Sequence, residues 1–384
     1  MSGWLLLAFS LLLAASSLLT TFKAPTLATW KLAILVGEFG AFAALPALAL
    51  GAIAAAGGIG GIVRWPIAAL CAVALLFLLR PMVQAARLAR DLPARLTRAF
   101  GVAEVGRPPF RLGRLLSLRA EPKEDCSTLV FAHAGTPEAC ALDFYPPAAA
   151  AGGRRPAPCV VVVHGGGWDG GDRTQLSALN RHLAARGYGV AAVSYRLAPA
   201  HPWPAQRDDL LAAIAFLKAQ AGALGIDPGR LVLFGRSAGG NLAEAVGYTA
   251  HDPAIRGIAA FYAPADLEFA WEYSSEDDVL NSFLLLRQFL GGTPQTAPAA
   301  FEAASAYFHV GRATPPTLLV HGTLDTLVWH RQSERLQARL AEHGVPNLFL
   351  SLPWATHAFE VNPHGPGGQL SLYALDHFLA AVTR

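Results

Sequence analysis

The run Gly235-Arg236-Ser237-Ala238-Gly239 fits G-x-S-x-G, a pattern that sets a serine on a turn between a strand and a helix. Its neighbours supply that context, because Leu231 to Phe234 reads as a strand and Ala238 to about Ala250 as a helix. The glycines permit a turn too tight for a Cβ, and the turn lifts Ser237 Oγ to the positive end of the helix. A serine hydroxyl is a poor nucleophile until a base takes its proton. Among twelve histidines, His357 in Ala355-Thr356-His357-Ala358-Phe359 lies after a strand at 347–351 and before the last helix, the late position such a base takes. Its rivals read differently. His364 stands in Pro/Gly-rich surroundings suited to a loose surface loop, His377 lies in the last helix as an exposed or structural residue, and His321 ends a strand. An acid must then hold the base's tautomer. Asp325 closes the tight turn His321-Gly322-Thr323-Leu324-Asp325, and Asp266 is the alternative. The order Ser237, Asp325, His357 matches the chain order used with this turn.

A second glycine-rich run, His164-Gly165-Gly166-Gly167-Trp168, follows an apolar strand at 159–163. Successive glycines let backbone N–H groups approach an oxygen that gains negative charge during acyl transfer. Gly166 and Gly167, with Ala238, are the expected oxyanion donors. A phosphate loop would need the Lys and Ser/Thr that are missing here. Trp168, Tyr195, Phe283 and Phe289 are candidates for the substrate pocket wall, the first two foremost. No cofactor and no metal are expected; the four cysteines show no C-x-x-C spacing and no disulfide framework.

These residues need a scaffold. From about residue 112, β-rich pieces at 127–132 and 139–145 precede an Ala/Gly/Arg/Pro loop at 148–158. Strands at 159–163, 188–194, 231–234, 258–262, 317–321 and 347–351 then alternate with helices at 175–186, 207–221, 238–250, 330–343 and 370–382. This alternation predicts a mostly parallel sheet flanked by helices, with a helical insertion at about 265–305 above the strands' C-terminal ends.

The N-terminal third is of another kind. The chain has mean hydropathy +0.36 and 15% charged residues, too apolar for an ordinary soluble enzyme. Apolar runs extend from Trp4 to Phe22, from Leu32 to about Gly58 (interrupted by Glu38 and Pro46) and from Trp65 to Leu79. The first two reach the roughly 20 residues that cross a bilayer, and the third does so with Ile62 and Val63 added. Without Lys or Arg in Met1-Ser2-Gly3, the first run reads as an uncleaved span. Residues 1–119 hold 12 Lys and Arg against 3 Asp and Glu, with arginines crowded after the third run. Three spans with that bias put the N-terminus outside and the catalytic part on the cytoplasmic face of the cell (inner) membrane. Residues 82–100 read as a basic amphipathic helix, either against headgroups or as a solvated linker. The expected organisation is a transmembrane region at 1–81, a basic helix and linker at 82–111, and a catalytic domain at 112–384. Nothing in the basic half suggests nucleic-acid binding, and the oligomeric state is not readable.

Over about residues 120–384 the chain resembles bacterial α/β-hydrolase esterases related to hormone-sensitive lipase and feruloyl-esterase-like enzymes. The carriers are His164 to Trp168, Gly170-Gly171-Asp172, Ser194-Tyr195-Arg196-Leu197-Ala198-Pro199, Gly235 to Asn241, His321 to Asp325 and His357-Ala358-Phe359. The resemblance implies cofactor-free hydrolysis of short- to medium-chain carboxylic esters by a serine hydrolase. An aryl formamidase or a lipidic ester as substrate, and a non-catalytic membrane scaffold, are the alternatives. Arg236 departs from the acidic residue of many relatives, which bears on the elbow's support, and the apolar N-terminal region is a second departure.

Overall fold

A computed structural model describes residues 3–117, 126–148 and 156–384. Much of the loop at 148–158 lies outside the described residues. The chain opens with α1 (Gly3–Ser17), α2 (Leu27–Glu38), α3 (Gly40–Ala55) and the long α4 (Arg64–Phe100). The sheet follows: β1 (Ser127–Ala132), β2 (Cys140–Tyr145), β3 (Ala157–Val163), α5 (Ser177–Ala184), β4 (Gly189–Val193), α6 (Ala205–Ala219), the short α7 (Ala221–Leu224), β5 (Ile226–Arg236) and α8 (Ala238–Thr249). After β6 (Ile255–Phe261) come α9 (Leu267–Glu272), α10 (Ser282–Leu290) and α11 (Pro298–Ala304), and then β7 (Thr317–Gly322), α12 (Arg331–Glu342), β8 (Asn347–Leu352) and α13 (Pro366–Val382).

The eight strands form one sheet in the order β1-β2-β4-β3-β5-β6-β7-β8. Only β1–β2 and β2–β4 pair antiparallel. The other five pairings are parallel, as the continuous apolar run of β3 requires when both faces are covered. Alternate residues of β5 feed two cores. Leu231 and Leu233 pack with Leu210, Leu217, Leu242 and Val246 of α6 and α8. Val232 and Phe234 pack with Leu183, Leu375 and Phe378 of α5 and α13. Val163 is in register with Gly235, and Gly235 with Ala260. The loop after β3 and the turn after β5 therefore leave the sheet side by side. The insertion expected at 265–305 is α9 to α11.

The N-terminal third departs from its expected layout in two ways. The run from Leu32 to Gly58 is not one straight helix: α2 and α3 meet at Phe39 with a bend of 78°. The break falls at Glu38 because its carboxylate accepts hydrogen bonds from groups beside the sheet, whereas Pro46 is accommodated inside α3. The third run and the basic segment are a single helix of 37 residues, not a span plus a separate amphipathic helix. Ala85, Leu92 and Leu96 on α4 are fully buried in the core that holds Phe234 and Phe378. Burying the two leucines contributes roughly 3–6 kcal/mol, so the second half of α4 is a layer packed on the sheet rather than a linker. Arg95 donates to Phe349 O at 3.0 Å, while Arg87, Arg90 and Arg98 face outward. By length and composition, α1 and α4 are apolar enough to cross a membrane, with the bent α2–α3 pair as a third candidate.

Candidate active site

Ser237 sits between β5 and α8 with φ 53° and ψ −127°, and its side chain does not cap the helix. A non-glycine residue held there costs on the order of 1–3 kcal/mol. The surroundings enforce it. Ser237 N donates to Phe261 O at 2.9 Å. A Cβ on Gly235 would lie 2.1 Å from Gly239 O, and one on Gly239 would lie 2.2 Å from His164 O. The two glycines thus clamp the turn against itself and against the loop after β3. Ser237 and His357 both line one cavity of about 1000 Å³.

His357 follows β8. Its Nδ1 lies 2.6 Å from Asp325 Oδ2. An ionised carboxylate only accepts, so Nδ1 carries the proton and Nε2 is left with a free lone pair, the tautomer a base requires. Asp325 is fully buried. Its Oδ1 accepts from Leu327 N at 2.8 Å and Val328 N at 2.9 Å, and His321 Nε2 stands 3.2 Å from Oδ2. Burial alone would raise the Asp325 pKa, but the charges and hydrogen bonds of His357 and His321 hold it well below the usual carboxylate range. Asp325 therefore stays anionic and orients the imidazole. Asp266, the alternative acid, caps α9 and pairs with Arg335 at 2.7 Å. His321 serves the acid, bonding Ser333 Oγ as well. His364 is buried, not on a loose loop, and His377 is buried in α13.

The second glycine run packs directly on the elbow. Gly165 is close enough that a Cβ would touch Ser237 Cβ at 3.2 Å, and Gly166 (φ 126°) and Gly167 (φ 62°) hold positive φ. Among the described residues, the N–H groups of Gly166, Gly167 and Ala238 have no protein acceptor, and all three residues line the cavity. Three unsatisfied donors around one serine suit an oxygen that gains charge. Arg236 supports this arrangement. Its Nη2 donates to Gln175 O at 3.1 Å, and Gln175 Oε1 accepts from Gly165 N at 3.0 Å. The departure at 236 thus joins the elbow to the glycine loop through one glutamine.

Trp168 lines the cavity. It donates from Nε1 to Asn241 Oδ1 at 3.2 Å and stacks on Phe289 at 4.3 Å. Tyr195 is not a pocket residue. It stacks on His164 with ring centres 4.2 Å apart and its hydroxyl donates to His164 O, so it buttresses the glycine loop. Phe289 backs Trp168 from beneath, and Phe283 packs on Trp271; the insertion's contribution to the wall includes Leu285 and Leu286. Sequence reasoning missed Lys23, Ala24 and Pro25, which reach the cavity from the segment joining α1 to α2, and Trp30 in the first turn of α2. Only proximity in the fold reveals them. For metal ligation, His133, Cys140 and Asp209 bring ligand atoms within 4.8 Å of one another, but Arg196 pairs with Asp209 at 2.8 Å and fills the place of a cation.

Comparison with known proteins agrees with this geometry. A family described as BD-FAE matches residues 142–340. Esterase LipC of Mycobacterium tuberculosis is 31% identical over 57% of this chain and 57% of its own length. A probable carboxylic ester hydrolase of the same organism, LipM, is 28% identical over 57% of this chain and 53% of its own. The chain thus spans about half the length of the curated relatives it matches. Among solved structures, a bacterial heroin esterase superposes with TM-score 0.57 and 26% identity, covering 68% of this chain and 84% of that one. The fold is that of the α/β-hydrolases.

Proposed function

The chain belongs to the BD-FAE family, and on that premise we propose that it is a membrane-anchored serine carboxylesterase. The observation that carries the reading is the His357–Asp325 pair, bonded at 2.6 Å, in one cavity with a strained and uncapped Ser237. Ser237 Oγ attacks the ester carbonyl carbon as His357 Nε2 takes its proton. The carbonyl oxygen becomes an oxyanion held by the N–H groups of Gly166, Gly167 and Ala238. Collapse expels the alcohol, which receives the proton from His357, and leaves an acyl-Ser237. Water, deprotonated by His357, then releases the acid. The relatives' names as ester hydrolases support an ester rather than an amide. The apolar side chains of the cavity support a hydrophobic acyl or alcohol group.

The anchor belongs to the same proposal. α1, α3 and the first half of α4 expose large apolar side chains such as Phe9, Leu12, Leu48, Leu76 and Leu79, a surface suited to lipid. Three crossings put Gly3 and the sheet on opposite sides, and the outward arginines of α4 favour the cytoplasmic side for the sheet. The test is hydrolysis of p-nitrophenyl esters by the full chain. Wild type turns over and Ser237→Ala does not; equal rates would remove the reading, and preference for N-formyl substrates would change the bond.

A further inference from the structure

Glu38 is the one acid in the apolar stretch from Leu32 to Gly58, and it is buried against the far end of the chain. Its carboxylate accepts from Trp354 Nε1 at 3.2 Å, Gly367 N at 2.8 Å and Gly368 N at 3.4 Å. Its backbone oxygen accepts from Asn362 Nδ2 at 2.7 Å. The site is shaped for it, since a Cβ on Gly365 or Gly367 would come within 2.4 and 2.6 Å of the Glu38 carboxylate. The carboxyl group thus sits at the N-terminus of α13, where its oxygens accept from backbone N–H groups that have no partner within the helix. Two turns earlier on α2, Trp30 donates from Nε1 to the backbone oxygen of His357 at 3.2 Å.

These two side chains grip both ends of one segment. Trp30 holds His357 itself. Glu38 holds Trp354 before it and Asn362 to Gly368 after it. Between them lies Ala358 with φ 63°, a conformation that a loop keeps only when its flanks are fixed. Both grips come from α2, the element that bends into the apolar α3.

We infer that Glu38 and Trp30 are positioning residues: the N-terminal helical region sets the place of the general base. The inference rests on the esterase reading for its kinetic consequence, but not for its geometric one. A base displaced by about 1 Å loses roughly 100-fold in rate. It does so without changing how the substrate's chain is held.

The test uses the full chain in detergent. Glu38→Gln keeps one acceptor oxygen, Glu38→Ala keeps none, and Trp30→Phe keeps a ring but no donor. Each is checked for wild-type thermal unfolding before kinetics. The expected result is a graded loss of kcat for a p-nitrophenyl ester, up to roughly 100-fold for Glu38→Ala and smaller for Glu38→Gln, with KM near wild type for the Glu38 variants, whose side chain does not line the cavity. A readout that needs no turnover accompanies it: the downfield proton resonance of the His357 Nδ1–H bonded to Asp325. It should be sharp in wild type and broadened or lost in folded Glu38→Ala and Trp30→Phe. Should Glu38→Ala not fold, Trp30→Phe decides. Folded variants with wild-type kcat and an unchanged resonance would overturn the inference. If the wild type hydrolyses no ester, the esterase reading fails, and the resonance alone still decides whether α2 positions His357.

Discussion

His164 opens the glycine loop and does not line the cavity, yet its chemistry sets a limit on the site. Its Nδ1–H donates to Gly165 O at 2.8 Å, its ring stacks on Tyr195, and Nε2 is buried without a partner among the described residues. Burial pushes its pKa down to about 4, so the folded chain keeps it neutral. In the unfolded chain it takes a proton near pH 6.5. The unfolded state therefore binds more protons between those values, and stability falls as pH drops from about 6.5 toward about 4. At pH 5 the loss is about 2 kcal/mol relative to pH 7.5. Urea unfolding at the two pH values measures it, and His164→Asn should flatten that part of the slope. A wild type equally stable at both would contradict the assignment. Ser237, Asp325 and His357 were legible in the sequence because each stands on a turn that a local motif describes. Tyr195 was misread because an aromatic residue just past a strand says nothing of which side of the loop it faces.

At the scale of elements, the turn that carries Ser237 is a junction of two strand ends and one helix. β3 and β5 are in register at Val163 and Gly235, and Gly239 lets α8 descend onto the β3 end. Adding a methyl there would drive a Cβ to 2.2 Å from His164 O and 2.3 Å from Val163 O. Gly239→Ala should cost about 1–3 kcal/mol and lower kcat as the oxyanion donors shift. Thermal unfolding and ester turnover check both. Gly311→Ala is the control, since a Cβ there meets nothing within 4 Å. A Gly239→Ala protein as stable and active as the control would contradict the clamp. The strand–helix alternation was readable from periodicity, and every expected strand has its counterpart in the sheet. What periodicity hid was the continuity of α4. Arg80 and Pro81 look like a terminus in sequence, but α4 continues through Pro81 and Pro93 because its later turns bury Leu92 and Leu96 in the core.

For the whole molecule, the N-terminal third is part of the architecture around the candidate site. α2 closes one wall of the cavity, and α4 covers one face of the sheet. Composition separated this third from the rest, because hydropathy reports the solvent a segment prefers and not its docking. Glu38 registered only as an interruption of an apolar run; its partners lie 316 to 330 residues away in the chain, beyond any local pattern. The proposed topology has a built-in probe. Cys126 is exposed, whereas Cys71, Cys140 and Cys159 are buried. A membrane-impermeant maleimide should label Cys126 only after the cytoplasmic side is opened, and Cys126→Ser should abolish the signal. Labelling in sealed, right-side-out cells would place the catalytic part on the other face.

The nucleophile is the centre of the account, and a fluorophosphonate tests it most directly. Intact mass and peptide mapping of the treated full chain should show one adduct, on Ser237, lost in Ser237→Ala and slowed when His357 is replaced by Ala. No adduct on wild type, or equal labelling of Ser237→Ala, would contradict it.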